Sequence, residues 1–114
     1  MIKIQTYGRL ASEPQLTDNR CNFSLAADTG RKASNGNGYT TEFFSVTVWG
    51  KRAETAATYL HKGDAIFVSG DYYSDEYTGR DNQKHLQKYI NNAEFAFGAR
   101  KNAEGVNSGE ILPD

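Results

Sequence analysis

A chain of 114 residues is long enough for one hydrophobic core and too short for two domains, and its aromatic share of 12% exceeds what that core needs. Thirteen Lys and Arg against fourteen Asp and Glu give a net charge of −1, which excludes whole-protein electrostatics as the means of holding a polyanion. The single cysteine, Cys21, excludes an intramolecular disulfide, and no apolar run could span a bilayer or serve as a leader. A cytoplasmic chain with no membrane contact, metal or other cofactor is therefore expected.

The first strand is expected over Ile2–Leu10, where apolar and polar residues alternate, and Ser12-Glu13-Pro14 closes it with a loop. A second strand is read over residues 21–28, with Cys21, Phe23, Leu25 and Ala27 on its buried side. Residues 29–38 hold Gly30, Gly36 and Gly38 among Ser and Asn, the composition of a flexible hairpin loop. The third strand, residues 40–49, alternates most clearly: Phe44, Val46 and Val48 form a core face opposite Phe43, Ser45, Thr47 and Trp49. Large aromatics mixed with short hydroxyl residues suit a flat ligand better than a core.

The period then changes to helical over residues 52–60, with Ala53, Ala56, Ala57 and Leu60 on one face and Lys62-Gly63 expected to end the helix. Residues 65–77 and 86–97 return to strand character and form a long hairpin across a polar crossing at 79–84. One domain over residues 1–97 is expected, followed by a disordered tail over 98–114 rich in Gly, Asn, Ala and Glu. Three strands, a short helix and two more strands is the element order of a five-stranded oligonucleotide/oligosaccharide-binding (OB-fold) barrel, all-β with one helix and long hairpin loops. Periodicity alone leaves an open α+β sheet standing beside it.

Four segments narrow the choice. Gly8-Arg9-Leu10-Ala11-Ser12-Glu13-Pro14-Gln15-Leu16, the run from Thr41 through Val46-Thr47-Val48-Trp49-Gly50-Lys51 to Glu54, then Tyr59-Leu60-His61-Lys62-Gly63-Asp64, and Val68-Ser69-Gly70 together resemble the bacterial-type single-stranded DNA-binding protein family. The likeness covers residues 2 to 97, with the motifs in order and at the family's spacing. It implies the barrel, sequence-nonspecific binding of single-stranded DNA in replication, recombination and repair, and homo-oligomers, commonly tetramers with dimers as the alternative.

Carried across position by position, the family's base-stacking aromatics match Phe43 and Tyr77, and Trp49 falls where an aromatic is usual. Lys51 and Lys62 match positions that are typically basic, and Arg31 or Lys32 stands where another aromatic is common; a guanidinium also stacks on a base. Lys3 and Arg9, bordering the first strand, are weaker phosphate candidates. Such a set suits its task, because single strands offer base faces to aromatics and phosphates to cations. Two departures stand out. Asp71, Asp75, Glu76 and Asp81 face only Arg80 on the second hairpin, so DNA is expected to bind more weakly around Tyr77 than around Phe43. The ending Glu110-Ile111-Leu112-Pro113-Asp114 lacks the final aromatic with which family members recruit replication and repair partners, as in a divergent phage or mobile-element member or a shortened sequence.

Neither His61 nor His85 has a nucleophile beside it in the pattern, so no enzyme is expected. The competing reading is a barrel whose aromatic face binds protein or RNA, which the near-neutral charge favours.

Overall fold

In a computed structural model that describes residues 1–36 and 38–98, the chain forms β1 (Ile2–Leu10), β2 (Gln15–Thr17), β3 (Arg20–Lys32), β4 (Tyr39–Trp49), α1 (Lys51–Tyr59), β5 (Ala65–Thr78) and β6 (Lys84–Phe97). The strands run in the order β1, β5, β6, β4, β3, β2, and β1 pairs again with β3 through Arg9 opposite Ala26 and Leu10 opposite Leu25. That second ladder closes β1, β5, β6, β4 and β3 into a five-strand barrel and removes the open sheet from consideration. β4 and β6 are parallel, with Ser45 opposite Tyr89 and Val46 opposite Ile90, so both long hairpins point their tips toward the same end of the sheet.

The alternation read in the sequence is what fills the barrel. Cys21, Phe23, Leu25 and Ala27 of β3 and Phe44, Val46 and Val48 of β4 are buried, joined by Ile66, Val68 and Ile90. Burial pushes the Cys21 thiol up, so it packs as a small apolar group. Ala53, Ala56 and Leu60 of the helical segment lie fully inside the same cluster, closing one end of the barrel.

Four features differ from the sequence reading. The second strand continues to Lys32 through an irregularity between Asp28 and Lys32 at which Gly30 takes φ 83°. There the hydroxyls of Thr29 and Thr40 meet at 2.5 Å and Thr41 Oγ1 donates to Asp28 Oδ1 at 3.2 Å, so side chains extend a ladder that composition alone reads as loop. A three-residue strand, β2, pairs Gln15 with Asn22 and Thr17 with Arg20; it is exposed throughout and carries no periodicity to read. The helix stops at Tyr59, with Leu60 already extended, because the Leu60 side chain must turn into the core. Gly63, φ 94°, serves instead in the turn after it, where its N–H donates to Leu10 O at 2.8 Å.

The expected tail lies outside the described residues from position 99 onward. No helix among the described residues is long and apolar enough to cross a membrane.

Candidate nucleic-acid interface

Strand pairing turns the outer side of β4 into a surface with defined neighbours. Because Phe44, Val46 and Val48 point inward, Phe43, Ser45, Thr47 and Trp49 point outward, and Phe43 keeps 56% of its surface exposed. Residues paired across a ladder share a face, so Arg9 of β1, Ala26 of β3 and Phe43 form one outward row. The Arg9 guanidinium is steadied by donating from Nη1 to Gly63 O at 3.0 Å, beside Lys62, whose backbone N–H donates to Glu13 Oε2 at 3.0 Å. Arg9 thus shares an outward row with the leading aromatic, and Lys62 adjoins the residue whose carbonyl Arg9 engages.

Trp49 lies six residues further along β4, about 20 Å away at the usual rise per residue. Its Nε1–H donates to Asn91 Oδ1 at 3.1 Å, and the Arg20 guanidinium sits 5.9 Å from its ring centre. Held on two sides and still 42% exposed, the ring is oriented by the barrel and open to a ligand. Lys51 follows two residues later as the first residue of α1. A cation there gains nothing from the helix dipole, so helix stability does not account for it.

Arg20 and Asn91 were not visible as site residues in the sequence. Arg20 stands directly opposite Trp49, and extending the β3 alternation back by one pair would have found it. Asn91 had no such signal. The β5–β6 register shifts between Ser69 and Asp71, where Asn92 adopts φ 53°, and this reverses which β6 side chains face out. A Cβ on Gly70 would meet Asn91 O at 2.8 Å, so the irregularity needs glycine opposite it.

The remaining candidates divide. Arg31 and Lys32 stand on the β3 end of the first hairpin, both exposed, with Lys32 opposite Tyr39; that exposed tyrosine continues the outward alternation of Phe43 and Thr41 and was missed. Lys3 lies on the β1–β5 side, where its Nζ is engaged by Asp71 Oδ1 at 2.5 Å, so it is set apart from the others.

Tyr77 projects from the second hairpin with 52% of its surface exposed, and one ring face is covered by His85 at 5.3 Å and 27°. The His85 Nε2–H donates to Asp81 Oδ1 at 3.1 Å, and Gln83 N–H donates to the same oxygen at 3.0 Å. Led by the His85 contact, these bonds hold the Asp81 carboxyl below its usual range. A depressed carboxyl contributes to the folded hairpin above its unfolded pKa, and the contribution disappears as pH falls through the folded value. Substituting His85→Ala is expected to raise the Asp81 midpoint toward an ordinary aspartate, as read by carboxyl-carbon NMR titration. An unchanged midpoint would refute that assignment.

The hairpin is also less acidic than its first arm suggests. Lys84 and Lys88 on β6 stand opposite Thr78 and Ser74, Lys88 Nζ pairs with Glu42 across to β4, and Asp71 is engaged by Lys3.

The model of the Single-strand binding protein family matches residues 1–97. The chain belongs to this family. Among its relatives, single-stranded DNA-binding protein 1 of Clostridium acetobutylicum is 37% identical over 98 residues, spanning 79% of this chain and 87% of the relative. Protein 2 of the same organism is 31% identical over 118 residues, spanning 96% of this chain and 87% of its own length. The crystal structure of the small single-stranded DNA-binding protein of Streptomyces coelicolor is similar with a TM-score of 0.72 at 23% identity, covering 85% of this chain and 94% of that one. Plasmodium falciparum SSB, solved in complex with ssDNA, gives 0.66 at 22% identity, covering 87% and 96%. Those structures share the OB-fold barrel, and family membership rests on the sequence matches.

Proposed function

We propose that this member of the single-strand binding protein family holds single-stranded DNA without sequence preference on the outer side of β4, protecting it during replication, recombination and repair. The observation that carries the reading is Phe43, more than half exposed, in one row with Arg9 and on one face with Trp49. Stacking supplies affinity that tolerates any base, while Arg9, Lys62, Lys51, Arg31 and Lys32 neutralise phosphates. Relatives named as single-stranded DNA-binding proteins, and a similar barrel solved with ssDNA, support it.

Titrating fluorescein-labelled oligothymidine by anisotropy at several salt concentrations tests the reading. Micromolar or tighter binding that weakens with salt is expected, and no binding at low salt would overturn it. Replacing Arg31 and Lys32 together with alanine is expected to reduce the slope of log K against log salt by about 1.4, two phosphate contacts at roughly 0.7 each on a single strand. An unchanged slope removes both residues from the DNA path.

A separate patch supports self-association, which we read as a homotetramer with a dimer as the alternative. Tyr7 and Phe67, paired on β1 and β5 with ring centres 4.6 Å apart, are 45% and 53% exposed and line a groove with Gln5, Ser69, Glu94 and Ala96. Such a patch is usually covered by a partner. Phe67→Glu is expected to lower the mass measured by light scattering, and an unchanged mass would place any oligomer interface elsewhere.

A further inference from the structure

One row of the barrel wall holds two aromatics that the site described above does not use. Ser24 of β3 is paired with Ser45 of β4, Ser45 with Tyr89 of β6, and Tyr89 with Tyr73 of β5. All four face outward, since the adjoining Leu25, Val46 and Ile90 are fully buried. The Tyr73 and Tyr89 rings are stacked, 4.7 Å between centres and 16° between planes. That spacing is close to the separation of neighbouring strands, about 4.8 Å, so each ring stands upright above its own strand.

Tyr73 covers one face of Tyr89. On the other side come Ser45 and then Ser24, whose side chains are too short to fill the space beside an upright ring. The result is a shelf with a hydroxyl-bearing floor and an aromatic wall. Phe43, two residues before Ser45 on the same face, bounds it along the strand, at a diagonal distance from Tyr89 of about 7 to 8 Å between Cα positions. A flat ring laid above Ser45 would continue the Tyr73–Tyr89 stack by one layer.

We propose that this shelf is a second base-binding pocket, in which a nucleobase of single-stranded DNA stacks on Tyr89 while the neighbouring base occupies Phe43. The proposal rests on the DNA-binding reading and adds a subsite to it. A heterocycle fits the chemistry better than an aliphatic side chain of a partner protein, because its edge can hydrogen-bond the Ser45 and Ser24 hydroxyls that an apolar group would leave unpaired. The diagonal spacing to Phe43 also suits consecutive nucleotides of an extended strand. Neither tyrosine carries charge, so the pocket contributes affinity with no counterion release.

The competing role for the ring pair is support of the hairpin, since cross-strand aromatic pairs stabilise a two-stranded arm. Two variants separate the roles: Tyr89→Ala removes the wall, whereas Ser45→Leu fills the shelf and leaves the ring pair intact. In the full chain, each is expected to weaken oligothymidine binding about tenfold, the loss of one base stack, with an unchanged salt slope and an unchanged mass. Irradiating the wild-type complex with oligothymidine carrying 5-iodouracil is expected to crosslink Tyr89 or Tyr73 in addition to Phe43. Absence of a crosslink at both tyrosines overturns the pocket whatever the affinities, and assigns the pair to hairpin support. Unchanged affinity in both variants overturns it as well, and a change in mass makes the face a protein interface. Failure of the wild type to bind oligothymidine at all would instead strike the underlying DNA-binding reading.

Discussion

Alanine at Phe43 is expected to lower affinity for oligothymidine by roughly five- to 150-fold, the equivalent of about 1 to 3 kcal/mol for one base–aromatic stack. The side chain is more than half exposed, and the neighbouring Phe44 is the one that packs in the core, so the fold has little to lose. Thermal stability is expected to stay within about 0.5 kcal/mol of wild type, as for other surface changes. The salt slope should not move, because a phenyl ring releases no counterions. Tyr77→Ala is expected to cost less. One face of Tyr77 is occupied by His85, and Asp75, two residues before it on the same strand face, repels phosphate. Anisotropy titrations of both variants at two salt concentrations decide the matter: equal losses at Phe43 and Tyr77 would refute the ranking, and no loss at Phe43 would remove the leading stacking residue.

The ranking also shows what the sequence made legible. The inward and outward sides of β4 follow from alternation alone, because a period of two admits only two assignments and three aliphatic or aromatic residues at 44, 46 and 48 choose between them. Phe43 and Trp49 therefore fall on the outward side by pattern alone. What periodicity cannot supply is register between strands. That Arg9 stands in the row of Phe43 follows from the β1–β3 ladder, and that Tyr89 lies across from Ser45 follows from the parallel β4–β6 ladder. Both join segments far apart in the chain, so no local pattern encodes them. The pairing of the second hairpin's charges is hidden for the same reason. Asp71 is engaged by Lys3 of β1 and Lys88 by Glu42 of β4, contacts that depend on the β1–β5 and β4–β6 ladders, whereas Asp75 and Glu76 keep the acidic character that the sequence shows.

Closure of the barrel depends on one position more than its size suggests, and Gly8→Ala is expected to be the most destabilising single methyl addition in the chain's described core. A Cβ there would lie 2.5 Å from Ala26 O and 3.2 Å from Leu25 Cγ. The first is a backbone atom of β3 immediately beside the β1–β3 ladder, so relief requires the two strands to part. Overpacking of this kind costs about 1 to 3 kcal/mol, occasionally more. For a domain of this size each kcal/mol lowers Tm by roughly 4 to 8 °C. Gly50→Ala provides the contrast. Its Cβ would meet nothing within 4 Å, and the cost arises only from the backbone, φ 70° with ψ −141°, a region close to one that glycine alone populates readily, about 1 to 3 kcal/mol for a residue with a Cβ. The two variants should also differ in binding. Parting β1 from β3 displaces Arg9 from the row it shares with Phe43, so Gly8→Ala, measured well below its transition, is expected to show a reduced salt slope, whereas Gly50→Ala leaves that row in place. Urea denaturation together with oligothymidine titration would check both halves. A Gly8→Ala protein as stable as wild type would mean that the β1–β3 ladder is not what closes the barrel in solution, and a stable fold with a reduced slope would separate the placement of Arg9 from closure itself.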